Sequence, residues 1–202
     1  MAKPAWLTTS PSTGSGNGTI SNSASPHTGR VARTGTVTVT GTGVATPATY
    51  SVSQSPLAEF ASFDNGASMS APKAGGTVTV TGKSNSSKLT FSWAGTVSDV
   101  TIPTSYTAGG NTATNGSAIA GDPGATAQFN FSISLTFPAN ATIEEITRSL
   151  IVTDNAGDTA QIAIVQAAGD ATLSVSPTEI TIPQAGTAQS VTVTSNTSWS
   201  VS

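Results

Sequence analysis

The stretch "QFNFSISLTF" (128–137) alternates without a break: Phe129, Phe131, Ile133, Leu135 and Phe137 are separated by Asn130, Ser132, Ser134 and Thr136. A period of two places the apolar groups on one face of a strand and the polar groups on the other. The same period recurs in "TVTVT" at 36–40 and 77–81, in "VTVT" at 191–194, and in "TYSVSQ" (49–54), "SLIVT" (149–153) and "TAQIAIV" (159–165). Thr and Val are β-branched and favour extended backbone. Clusters of Gly, Asn, Asp and Pro lie between these runs and predict turns. One of them, "TDNAGDT" (153–159), predicts a hairpin loop. The one helix-like stretch is "ATIEEITR" (141–148), long enough for a single turn. The expected fold class is all-β, with the strand spacing of a β-sandwich.

Internal repeats set the expected domain organisation. "PKAGGTVTVTGKSNSSKLTFSW" begins at Pro72 and "PQAGTAQSVTVTSNTSW" at Pro183; each runs Pro-x-Ala-Gly, a Thr/Val strand, an Asn/Ser loop and Trp. A second pair matches Arg33 to Arg148, Thr36–Thr40 to Leu150–Thr153, and Gln54 to Gln166. Residues 57–170 therefore read as one whole unit, 171–202 as the first half of another, and 1–56 as the second half of one. The two halves also join. "TSWSVS" aligns with the opening "PAWLTTSPSTGSGNG", Trp199 over Trp6, so 171–202 followed by 7–56 reads as one complete small sandwich.

Composition narrows the chemistry. Only 8% of residues are charged and the net charge is −3; solubility must rest on hydroxyls and amides. The seven basic residues are scattered, which argues against nucleic acid, because binding phosphates needs clustered Lys and Arg. With no cysteine, disulfides, thiolate metal sites and Cys nucleophiles are excluded. No apolar run suggests a secretory signal or a membrane span. With Met1 as the start, the protein is expected to remain in a cytoplasm until something releases it.

No catalytic, cofactor or metal site is expected. His27, the single histidine, lies in "SPHTGR" with no acid nearby in sequence, and reads as an exposed turn residue. Glu144 and Glu145 are adjacent, so they do not share a face; Glu145 is placed to pair with Arg148. Asp122, Asp154 and Asp158 read as turn residues, since calcium needs six to eight oxygens. Trp6, Trp93 and Trp199 share one repeat position, which favours packing between sheets. Arg33 and Arg148 read as turn clamps on backbone carbonyls. The expected contact surface comprises the long insertion "YTAGGNTATNGSAIAGDPGA" (106–125), with Tyr106, Asn111 and Asn115, and the region of Trp6; sandwiches carry function on loops. Strands with almost no charge, such as "TVTVT" and "QFNFSISLTF", lack the usual edge guards and are expected to pair with a partner.

The run "LSVSPTEITIPQAGTAQSVTVTSNTSWSVS" resembles the opening of a BACON domain, and "GNGTISNSASPHTGRVARTGTVTVTG…VSQSP" resembles its close. BACON domains are immunoglobulin-like sandwiches of Bacteroidetes and their phages, so the resemblance implies tandem immunoglobulin-like β-sandwiches. The middle unit departs from the pattern at 106–125. The family resemblance implies a proposed carbohydrate-binding role, and related domains occur in the capsid and tail proteins of crAss-like bacteriophages. The absent signal peptide favours the phage setting. The expected function is a non-enzymatic virion structural protein, a capsid decoration or head-fibre subunit of a Bacteroidetes-infecting phage, localised to the virion. Expected partners are capsid or fibre proteins and other copies of the chain. The alternative is a secreted or surface carbohydrate-binding module with glycans as partner.

The final "SNTSWSVS" (195–202) reads as the middle of such a unit. Three explanations stand. Continuation past Ser202 is preferred, because a sandwich cut there leaves an apolar face bare. A neighbouring copy's N-terminal half could supply the missing strands. The last strands could also form a detached pair.

Overall fold

A computed structural model describes residues 3–202. Among them the regular elements are fifteen β-strands and one short 3-10 turn, Pro123–Ala125. The chain is all-β.

Four strands come first: β1 (Leu7–Ser10), β2 (Ser21–Ala24), β3 (Arg33–Val39) and β4 (Ala48–Gln54). They form two antiparallel hairpins, β1 with β2 and β3 with β4. The hairpins face each other. Leu7 and Val37 are buried, and Pro4 and Trp6 lie against the bare backbone of Gly35, where a Cβ would fall 2.6 Å from the proline ring. Tyr50 closes the contact by donating to Asn22 Oδ1 at 3.0 Å.

The central strands are β5 (Ala61–Phe63), β6 (Ser68–Ala71), β7 (Gly76–Ser84), β8 (Thr90–Trp93), β9 (Ser105–Ala108), β10 (Asn111–Thr114), β11 (Phe129–Phe137), β12 (Ile146–Thr153) and β13 (Thr159–Gln166). They make a five-stranded sheet in the order β10-β9-β11-β7-β5 and a four-stranded sheet in the order β6-β13-β12-β8. The alternation of β11 is realised: its five apolar side chains are buried. They meet Leu150, Val152, Ile162 and Ile164 of the other sheet in one core. Burying each such side chain contributes about 1.5–3 kcal/mol. Phe91 packs edge-on against both Tyr106 and Phe131, at 5.0 and 5.6 Å. On the outer face Thr79 and Ser134 hydroxyls pair at 3.1 Å, so hydroxyls occupy the polar face where charges are scarce.

Four expectations change here. The 106–125 insertion is not a loop throughout: its first half is the hairpin β9–β10, turned at Gly109 and Gly110, whose φ values of +57° and +86° suit glycine. Tyr106 is therefore a core residue, 4% exposed. The strands "TVTVT" (77–81) and "QFNFSISLTF" are not edges, because β7 and β11 lie inside the five-stranded sheet. Residues 141–145 carry no helix, and Ile146 already begins β12. Its partner β13 follows through the predicted loop 153–159, where Asp154 Oδ1 accepts from the backbone of Gly157 and Asp158 at 2.9 Å each.

The last pair, β14 (Leu173–Ser176) and β15 (Thr192–Ser195), is one antiparallel hairpin. It buries little: Leu173, Ile182 and Trp199 are 61%, 60% and 53% exposed.

Candidate functional site

Asn85 follows β7 and is fully buried. Its Oδ1 accepts from Phe60 N at 3.0 Å. Its Nδ2 reaches the carbonyls of Ala58 at 3.0 Å and Thr28 at 3.2 Å. Ser84 Oγ donates to Phe60 O at 2.6 Å, and Ser86 N donates back to Ser84 Oγ at 2.9 Å. Leu57 N donates to Gly29 O at 2.9 Å. This side-chain set ties the β3–β4 half, through residues 28–29, to the connecting segment 57–60 and to the head of the central sandwich. Two backbone bonds of 3.0 Å, Arg30 N to Gly124 O and Val31 N to Ala125 O, extend it. The approach is close enough that a Cβ on Gly124 would stand 2.0 Å from Asn85 O. Arg30 adds charge: its guanidinium grips Asp122 with both terminal nitrogens and Glu59 through Nε at 3.2 Å. The hydrogen bonds that Arg30 donates to Asp122, with the negative charges of Asp122 and Glu59, hold the Arg30 pKa above its ordinary value against the opposing effect of burial.

The same joint recurs at the other end of the central sandwich. Asn196 follows β15, and its Oδ1 accepts from Thr172 N at 2.8 Å. Its Nδ2 donates to Asp170 O at 2.9 Å and Ala141 O at 3.0 Å. Ser195 Oγ donates to Thr172 O at 2.8 Å, Thr197 N to Ser195 Oγ at 3.0 Å, and Gly169 N to Thr142 O at 2.7 Å. The asparagine and serine bonds of the first joint have counterparts, Asn196 standing for Asn85, Thr172 for Phe60, Asp170 for Ala58 and Ala141 for Thr28, while the Arg30 contacts have none. The second joint is more open and is flanked by an exposed Lys73–Asp170 pair at 2.6 Å.

A second motif also appears twice. Arg148 Nη1 donates to Gln166 Oε1 at 3.1 Å, and Gln166 Nε2 donates to Pro72 O at 2.9 Å and Pro138 O at 2.8 Å. In the N-terminal half Arg33 Nε donates to Gln54 Oε1 at 2.8 Å, and Gln54 Nε2 donates to Ser25 O at 3.0 Å. Both guanidiniums lie over an aromatic ring, Arg148 on Phe137 at 5.5 Å and Arg33 on Trp6 at 4.6 Å. The strand registers differ by two residues, Arg33 facing Gln54 and Arg148 facing Ile164, and the side-chain bond is kept. Arg33 also donates to Ser25 O at 2.7 Å, as a carbonyl clamp should. Arg148 instead pairs with Asp99, not with Glu145. That hydrogen-bonded pair holds the Asp99 carboxyl below its ordinary pKa.

The residues expected to form a contact surface are dispersed. Tyr106 is inside, and burial raises its phenol pKa. Asn115 is half-buried, bonding Phe91 N at 2.7 Å and Phe91 O at 3.2 Å; it braces β8. Trp6 is half-buried beneath Arg33. Asn111, at the β9–β10 turn, is exposed. The tryptophans do not share one environment: Trp93 ends β8 and bonds Val100 O at 2.8 Å, Trp6 precedes β1, and Trp199 is bare. His27 is half-buried rather than an exposed turn residue, with Nε2 2.7 Å from Val31 O and Nδ1 buried without a partner among the described residues. Among the described residues no three of His, Asp and Glu gather to hold a metal ion, and no helix is long and apolar enough to cross a membrane. Compared with known proteins, the chain matches no family model and no curated sequence.

Asn85 and Asn196 lie in the Asn/Ser loop of the repeat, "SNS" at 84–86 and "SNT" at 195–197, without a role assigned to them there; Arg30 carries no sequence signal. The arrangement fixes segments of the chain against one another through backbone carbonyls.

Proposed function

We propose that the chain is a non-enzymatic assembly protein of tandem immunoglobulin-like sandwiches. In line with its resemblance to BACON domains of crAss-like phages, we assign it to the virion of a Bacteroidetes-infecting phage, as a capsid decoration or head-fibre subunit. The single observation that carries this reading is the repeated joint, Asn85 with 28 and 57–60, then Asn196 with 141 and 169–172. A joint built twice with the same atoms supports serial, oriented units. Strand order supports the immunoglobulin-like assignment: β5, β7, β11 and β9 take the places of strands A, B, E and D, and β8, β12 and β13 those of C, F and G. The charge-poor, hydroxyl-rich faces suit contact with protein neighbours more than with polyanions.

Quantitative mass spectrometry of purified particles tests the proposal. The chain is expected at a copy number that matches a capsid or fibre symmetry. Its absence from particles, with binding to a glycan array, would move it to the carbohydrate-binding modules.

A further inference from the structure

We propose that Asn17 and Asn65 are sites of spontaneous covalent modification, where asparagine converts to aspartate or isoaspartate without an enzyme, while the fold keeps a third site of the same sequence, Asn115, unreacted. These sites do not depend on the assembly reading above.

Asn is followed by Gly at 17–18, 65–66 and 115–116. The pair is reactive for a steric reason. The backbone nitrogen of the following residue, once it has given its proton to hydroxide, attacks the asparagine Cγ. A side chain on that residue would crowd the approach and restrict the backbone, and glycine has none. The new bond from nitrogen to Cγ closes a succinimide ring. The bond from Cγ to the amide nitrogen breaks, and the nitrogen leaves as ammonia with a proton taken from water. Water then opens the ring at either carbonyl. One opening gives aspartate in the ordinary chain. The other gives isoaspartate, in which the main chain runs through the β-carboxyl carbon. Each conversion adds one negative charge to a chain whose net charge is −3.

Two of the three sites are open. Asn17 lies in the connection from β1 to β2, and Asn65 in the turn from β5 to β6. Both are exposed. Among the described residues, the backbone nitrogens of Gly18 and Gly66 donate no turn or loop hydrogen bond. A Cβ on either glycine would meet nothing within 4 Å, so the nucleophile has room to approach. Asn65 also sits at a crossing between sheets. On one side Asp64 N donates to Thr81 O of β7 at 3.0 Å; on the other Ala67 O accepts from Ala163 N of β13 at 2.9 Å. Isoaspartate at 65 lengthens the main chain between these two anchors, and either product sets a second carboxylate beside Asp64.

The third site is held shut. Asn115 is half-buried. Its Oδ1 accepts from Phe91 N at 2.7 Å and its Nδ2 donates to Phe91 O at 3.2 Å. The nitrogen that would attack, Gly116 N, donates instead to Leu89 O at 3.0 Å. Electrophile and nucleophile are thus both fastened to the segment 89–91. Reaction requires all three bonds to open, which should slow it by about tenfold or more. The bonds that brace β8 are the ones that preserve the asparagine.

The test is peptide mapping by mass spectrometry of the 202-residue chain during incubation in warm, mildly alkaline buffer, with a parallel sample unfolded in urea. Electron-transfer fragmentation separates isoaspartate from aspartate. In the native sample Asn17 and Asn65 are expected to convert, with Asn115 slower by about tenfold or more. In urea Asn115 should catch up, so that all three convert at comparable rates. The double variant Asn17→Ser/Asn65→Ser should remove most of the acidic forms that ion-exchange chromatography resolves in the aged native chain. Native Asn115 converting as fast as Asn65 would overturn the proposal. So would native Asn17 and Asn65 as slow as Asn115, or acidic forms undiminished in the double variant. An Asn115 that stays slow in urea would also overturn it, because its protection would then come from local sequence and not from the bonds to Leu89 and Phe91.

Discussion

The guanidinium of Arg148 and the amide of Gln166 are joined at 3.1 Å in the interior, with Arg148 5% exposed and Gln166 fully buried. Gln166 also satisfies two proline carbonyls, those of Pro72 and Pro138, so one side chain ties β12 and β13 to the segments entering β7 and leaving β11. Gln166→Leu leaves both carbonyls and Arg148 short of a partner. The expected loss is about 2–4 kcal/mol, given the cost of stranding buried polar groups. Urea denaturation of the chain checks it; an unchanged midpoint would show that water replaces the amide.

The joints predict local consequences. Asn85→Ala removes the fastening of residues 57–60 and of Thr28, and should cost about 1–3 kcal/mol. Limited proteolysis should then cut between 54 and 60 while the central strands stay protected. Gly124→Ala should do the same for a different reason, because its Cβ would meet the Asn85 carbonyl at 2.0 Å. Asn196→Ala, in a more open setting, should lose less. A larger loss at 196 than at 85 would contradict this order.

Tyr106 predicts a split between size and polarity. Tyr106→Ala opens a hole beside Phe91 and should cost about 3–5 kcal/mol. Tyr106→Phe keeps the ring and should stay within about 1 kcal/mol of the parent. Thermal unfolding of both variants decides. Equal losses would show that the hydroxyl, not the ring, matters.

The Asp99–Arg148 pair predicts an acid dependence. Arg148 holds the Asp99 carboxyl below its ordinary value, so folding releases the proton more readily than the unfolded chain does. Its contribution is present above the unfolded pKa, about 3.9 for Asp, and is lost as the pH falls through the lower folded value. The Asp99 side chain is 44% exposed, so solvent screens the pair and the effect is modest. Asp99→Asn should flatten the stability curve below about pH 4, measured by denaturation at a series of pH values. An unaltered slope would assign the acid sensitivity elsewhere.

Much of the strand framework was legible because alternation is explicit where large apolar groups occur. β11 spans Phe129–Phe137, the whole alternating run. The β9–β10 hairpin escaped notice because "SYTAGGNTAT" spends one large residue, Tyr106, on its inward face; the rest of that face is alanine. Its Gly-Gly turn was the available sign. Edge status could not be read at all, since it depends on which strands flank β7 and β11 after folding. The helix-like reading of 141–148 failed because Ile146, Arg148 and Leu150 serve the alternation of β12. The joints depend on carbonyls brought together from distant segments, which leave no side-chain pattern except the asparagine itself.

Sedimentation of the unmodified 202-residue chain across a wide concentration range tests most directly whether it works by assembling. The account predicts a mass that rises above 20.0 kDa as the concentration increases. A constant 20.0 kDa at every concentration would contradict it.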